Sequence, residues 1–209
     1  MKEAIESTLW CDRIFVVDGA FPGFPTNSPQ SNDGTIEIVR ELQKQHPDKI
    51  RLFTFDDFVE TTQKMNVYLA QMRIGDFFLR LNGDEFVESN HENPYKFLAW
   101  QIAESGELPL YQIGEYPVGD ERKYYYCPKL LKKTETLNLT SRHVIYTNNF
   151  EPHYELIGQR GKVSPCEANL PMNLLRIKHM KEQRNEERQR LNIEWIKYYS
   201  SHQFKQGII

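Results

Sequence analysis

A chain of 209 residues with 39% apolar and 26% charged side chains is long enough to bury a core of its own, and its composition is neither disordered nor fibrous. Its formal net charge of −3 argues against nucleic acid or an anionic membrane as a general partner. The cysteines Cys11, Cys127 and Cys166 are odd in number and contain no CxxC pair, so neither a disulfide framework nor a structural zinc site is expected, and a reducing cytoplasm is the natural setting. No apolar run approaches the ~20 residues that span a bilayer, and no basic segment leads into an apolar one at the start, so no integral membrane segment or signal peptide is expected.

In chain order, Ala4, Ile5, Leu9 and Trp10 fall at helical spacing and predict a helix over 2–10. Arg13 to Asp18 is a short apolar run that ends in a carboxylate, the pattern of a strand buried on both faces. A loop rich in Gly, Pro, Asn and Ser fills 19–32. Asp33-Gly34-Thr35 then opens a helix with Ile36, Val39 and Leu42 in one stripe, ended by Pro47-Asp48. A strand over 50–55, a helix over 61–73 with Met65, Leu69 and Met72 on one side, and a strand over 77–81 follow. This alternation predicts a mostly parallel sheet with helices on both faces. One more helix is expected over 94–105. Beyond Leu108 the chain becomes rich in tyrosine and β-branched residues, with short strands expected over 111–116, 123–126 and 142–146. A charged helix with Leu191, Trp195, Ile196 and Tyr199 on its apolar side closes the chain, over 181–199. The organisation expected is one domain over 1–209, with a nucleotide-side half (1–107) and an acceptor-side half (108–209).

In open α/β sheets ligands bind beyond the carboxyl ends of the strands. Two expected strands run into acids there, at Val16-Val17-Asp18 and Leu81-Asn82-Gly83-Asp84. Such carboxylates accept from ribose hydroxyls or hold a hard divalent cation. Each also has a plainer reading as turn chemistry after a strand. Asp33 reads equally as a helix N-cap and as a ligand contact. Lys64 could reach a diphosphate, although a lone lysine on a helix is usually solvated.

The ordered set of motifs resembles glycosyltransferase family 2 and its relatives of the GT-A fold. It comprises Val16-Val17-Asp18, then Ser31-Asn32-Asp33-Gly34-Thr35 opening a helix, then Lys64-Met65-Asn66. It continues with Gly75-Asp76-Phe77-Phe78-Leu79-Arg80-Leu81-Asn82-Gly83-Asp84-Glu85 and with Pro128-Lys129-Leu130-Leu131-Lys132-Lys133. The resemblance covers most of 10–133. It implies a three-layer α/β GT-A fold and transfer of a sugar from a nucleotide-diphosphate sugar to a glycan or lipid-linked acceptor. A lipid-linked acceptor would be the one route to the periphery of a membrane. The implied cofactor is Mn²⁺ or Mg²⁺ held by Asp84, the family's principal metal acid, with His179 as the late histidine near the metal. Asp18, Asp33, Lys64 and Asn82 are the implied nucleotide-sugar contacts. An inverting reaction needs a carboxylate base; Glu115 and Asp120 fit by order, with Glu151 and Glu155 behind them, and His143 is the other notable histidine. The chain departs from the family in three ways. Asn82 stands where the first acid of Asp-x-Asp belongs, the family's first strand has no counterpart, and about ten extra residues separate Asp18 from Ser31. The first two favour a rival reading, a degenerate GT-A domain that binds a glycan or a protein without catalysis. A nucleotidyltransferase is a further rival, but the Gly-rich phosphate loop it needs is missing from the sequence.

Overall fold

A computed structural model describes residues 1–108, 110–117, 124–135, 137–139, 144–146, 167–180 and 186–203. The first helix, α1 (Lys2–Glu6), is shorter than its apolar spacing predicts. The reason is local: the hydroxyls of Ser7 and Thr8 bond back to the carbonyls of Ala4 and Ile5, competing with continuation of the helix. Strand β1 (Ile14–Val17), helix α2 (Thr35–Gln45) and strand β2 (Ile50–Phe53) follow as expected. Gly34 precedes α2 at φ +84°, a left-handed turn that favours glycine. β1 and β2 pair in parallel, Ile14 beside Ile50 and Val17 beside Phe53. Ile5, Val16, Val39, Leu42 and Ile50 pack into one apolar cluster, which fixes α1 and α2 on this two-stranded sheet.

Helix α3 (Thr61–Leu69) starts with a capping box between Glu60 and Gln63. The chain continues through β3 (Phe77–Leu79), β4 (Glu85–Ser89), α4 (Pro94–Glu104), β5 (Leu110–Pro117) and β6 (Tyr125–Lys132). A small antiparallel pair, β7 (Leu137–Leu139) and β8 (Val144–Tyr146), comes next. β9 (Glu167–Asn169), β10 (Leu175–His179) and α5 (Glu186–Gln203) complete the described elements. Asn93 caps α4 by accepting from the Lys96 N–H at 2.9 Å, and Pro94 sits at its first position.

The main sheet runs β3-β6-β5-β10-β4, with β9 also paired to β5. It is mixed, which corrects the expectation of a mostly parallel sheet. β3–β6, β5–β6 and β10–β4 are antiparallel; β5–β10 and β5–β9 are parallel. Two of the antiparallel pairs are made by β6, and the third joins β4 and β10, neither of which is among the strands expected from the sequence. β4 begins at the acid that looked like the end of a turn, and β10 draws a segment from near the end of the chain between β4 and β5. The chain is thus α/β with a mixed sheet, and the parallel GT-A sheet is not what the ladders describe.

Helices do lie on both faces of this sheet. Leu110 and Leu131 are partners in the β5–β6 ladder and pack with Met65, Tyr68 and Leu69 of α3. Tyr111 and Leu130, the next pair, point the opposite way and pack with Phe97 and Leu98 of α4. Gly114 in β5 is required by close approach: a Cβ there would meet Met172 Cγ at 2.3 Å. At the far end of the chain, Trp195 of α5 stacks on Phe21 in the 19–32 loop, with ring centroids 5.0 Å apart. No helix among the described residues is long and apolar enough to cross a membrane.

Candidate functional site

The α4-facing side of the main sheet changes character along the strands. Tyr111, Ile113, Val87, Leu175 and Ile177 are buried in its apolar cluster. One further alternation along each strand brings Glu115 on β5, Glu85 on β4 and His179 on β10 to the same face, since residues i and i+2 share a side. His179 is opposite Glu85 in the β10–β4 ladder, and Ile177 is opposite Glu115 in the β10–β5 ladder. The β5–β6 register slips between Tyr111 and Gln112, whose partners are Leu130 and Pro128, so Lys129 is the extra residue of a bulge. A bulge re-aims a side chain, and here the Lys129 ammonium is delivered into the acidic group. The site stands at the carboxyl ends of the parallel pair β5 and β10, where α/β sheets place ligands.

Its members form a closed ring of contacts. The Asn82 side-chain amide donates to Glu85 Oε1 at 2.6 Å, and the Asn82 backbone N–H donates to Glu85 Oε2 at 3.0 Å. Lys129 Nζ donates to Glu85 Oε2 at 2.6 Å and lies 3.4 Å from Glu115 Oε2. Glu115 Oε1 accepts from the Tyr125 hydroxyl at 2.5 Å and lies 2.6 Å from His179 Nδ1. His179 Nε2 lies 3.2 Å from Asp84 Oδ2, and the Met180 N–H donates to the Asp84 carbonyl at 2.8 Å, continuing the β4–β10 ladder. Glu85, Glu115 and Lys129 are 1%, 2% and 6% exposed. Charges this deep survive only when paired and hydrogen-bonded, and the ring meets that condition.

The electrostatics follow from these partners. Burial alone would raise Glu115, but the His179 bond, the Lys129 charge and the Tyr125 hydroxyl outweigh it and hold the carboxyl down to about 2. Bonds to Asp84 and Glu115 raise His179 to about 9 against the effect of its burial. Burial, and then the bond to Glu115, push the Tyr125 hydroxyl up.

Two groupings could hold a cation. Glu85, Glu115 and His179 offer ligand atoms within 4.8 Å of one another, but the Lys129 ammonium already bridges the two glutamates. Asp84 Oδ2 and His179 Nε2 make the better pair. Two ligands about 2.1 Å from one octahedral cation, at right angles, lie about 3 Å apart, close to the observed 3.2 Å. Glu115 on the other ring nitrogen is the carboxylate partner that metal-binding histidines ordinarily have.

The other expected site residues gather around the end of β1. Asp18 accepts from the Ser31 backbone N–H at 2.8 Å and from its hydroxyl at 2.5 Å, which closes the 19–32 loop onto the strand. Lys64 donates to the Gly19 carbonyl and sits over the Phe21 ring, 3.8 Å from its centroid. Burial lowers Lys64 to about 8, with Asp18 and Glu60 opposing the shift. Asp33 accepts from the Thr35 N–H at 3.1 Å, the contact of a helix-start turn. The structure therefore brings Asp84, Glu115 and His179 together, sets Asn82 against Glu85, and gathers Asp18 and Lys64 about the loop. Asp120, Glu151, Glu155 and His143 lie outside the described residues. Sequence reasoning missed Glu85, Lys129 and Tyr125. Glu85-Phe86-Val87-Glu88-Ser89 carries no period-2 alternation of apolar and polar residues, so the sequence offered no signal for β4 or for the inward aim of Glu85. No family model matches the chain, and a search of curated proteins likewise finds no match.

Proposed function

We propose that the chain is a metal-assisted glycosyltransferase that moves a sugar from a nucleotide-diphosphate donor to a glycan or lipid-linked glycan. The observation that carries this reading is the Asp84–His179 pair, 3.2 Å apart at the carboxyl ends of two parallel strands and backed by Glu115. In this reading Asp84 and His179 hold the divalent cation, and an imidazole in the donor set favours Mn²⁺ over Mg²⁺. The cation would supply neutralisation of the charge growing on the departing nucleoside diphosphate. Glu115 fixes the His179 ring so that Nε2 faces Asp84. A carboxyl held at about 2 is a weak proton acceptor, so we assign Glu115 this orienting role and leave Asp120 as the base candidate by chain order. Asp18, at the end of β1, would accept from the nucleoside once the Ser31 hydroxyl yields, and Lys64 would exchange the Gly19 carbonyl for a diphosphate oxygen.

A second reading, a non-catalytic GT-A-like binding module, is favoured by the inward commitment of Asp18 to Ser31 and of Asn82 to Glu85. Calorimetric titration of UDP and GDP, each with and without Mn²⁺, separates the two. The transferase reading expects metal-dependent binding of one nucleotide, weakened at least tenfold by Asp84→Ala and by His179→Ala. A folded chain that binds neither nucleotide with Mn²⁺ present overturns it in favour of the binding module.

A further inference from the structure

The resemblance implies that Asn82, in the place of the family's first acid, contacts the nucleotide-sugar; its side-chain amide meets Glu85 instead. The Glu85 carboxylate accepts from Lys129 through Oε2, and its Oε1 accepts from the Asn82 amide NH₂ at 2.6 Å. The backbone reinforces this, because the Asn82 N–H donates to Glu85 Oε2 and the Glu85 N–H donates to the Asn82 carbonyl at 3.0 Å. Three donors therefore converge on one carboxylate that is 1% exposed: the Asn82 amide, the Asn82 backbone N–H and Lys129. Asp84 sits inside the turn that these bonds close.

We propose that Asn82 is a positioning residue. Its amide clamps Glu85, and the ring Glu85–Lys129–Glu115–His179 returns to Asp84, so position 82 requires a neutral donor and not an acid. A carboxylate at 82 would bring two like charges within 2.6 Å in a buried setting and would replace an attraction by a repulsion. The substitution that would restore an Asp-x-Asp sequence is then predicted to damage the site. If Asn82 were instead a cation ligand or a ribose contact, the same substitution would add charge where charge helps.

Asn82→Asp decides between these. The clamp expects a melting midpoint lowered by more than about 5 °C in metal-free protein, with at least half recovered in Asn82→Asp/Glu85→Gln, where the glutamine amide now donates to the new acid. Should the single variant fail to fold, a double variant that folds supports the clamp, and one that also fails to fold overturns it. An unchanged midpoint in Asn82→Asp, or a loss that Glu85→Gln does not relieve, likewise overturns the clamp. The metal arm rests on the transferase reading: Mn²⁺ titration expects at least tenfold weaker binding in Asn82→Asp, and tighter binding overturns the clamp. A wild-type chain that binds no Mn²⁺ counts against the transferase reading alone, because the melting comparison still judges Asn82.

Discussion

Asp18 directly follows β1 and Asp84 directly precedes β4, yet the surroundings of these two aspartates have little in common. Among the described residues the hydrogen bonds to the Asp18 carboxylate come from one residue, Ser31, thirteen positions on, with the Lys64 charge nearby, and the result is a clasped loop. Asp84 belongs to a ring drawn from β4, β5, β6 and β10, in which three carboxylates, one ammonium and one imidazole are fitted together. A carboxylate whose hydrogen bonds come only from its own loop can be released for a ligand at the cost of a hydrogen bond or two. One that is locked into a buried charge network cannot be altered without disturbing every partner.

That contrast sets an order of expected effects. The largest belongs to Lys129→Met, which strands Glu85 and Glu115 without their cation and should cost about 3–5 kcal/mol of unfolding free energy in urea titration. Next comes the pH dependence of the metal-free protein. Glu115 at about 2 lies below its usual value of 4.5, so its contribution is complete above 4.5 and lost as pH falls toward 2. His179 at about 9 lies above 6.5, so its contribution is complete below 6.5 and lost as pH rises through 9. Stability should therefore plateau between pH 4.5 and 6.5 and decline on either side of that window. His179→Gln should flatten that alkaline limb in a pH series of urea midpoints. The smallest effect belongs to Ser31→Ala, about 1–2 kcal/mol, with faster amide exchange confined to the 19–32 loop. If Ser31→Ala cost as much as Lys129→Met, the two acids would not differ in the way described.

The first third of the fold was legible because its order is local. Ile36, Val39 and Leu42 repeat at helical spacing, β1 and β2 are short apolar runs, and each element packs on its neighbour in the chain. The mixed sheet was not legible, since nothing in Leu175–His179 says that this segment will lie between β4 and β5. Within the site, Asp84, Glu115 and His179 were singled out by motif order, whereas Lys129 enters through a one-residue bulge that leaves no mark on hydrophobic periodicity. Asn82 was visible as an oddity; its meaning depended on finding Glu85 pointing back at it.

The place of β10 also governs when the protein can exist. A ribosome has made β4 and β5 long before residue 175 emerges, and until then the strand that joins them in the sheet is missing. Such unpaired edges invite pairing with other chains. Pairings this distant in sequence slow folding, because a long loop must close before they form. A message cut short before Leu175 would yield most of the residues, no charge ring and a sheet open in its middle.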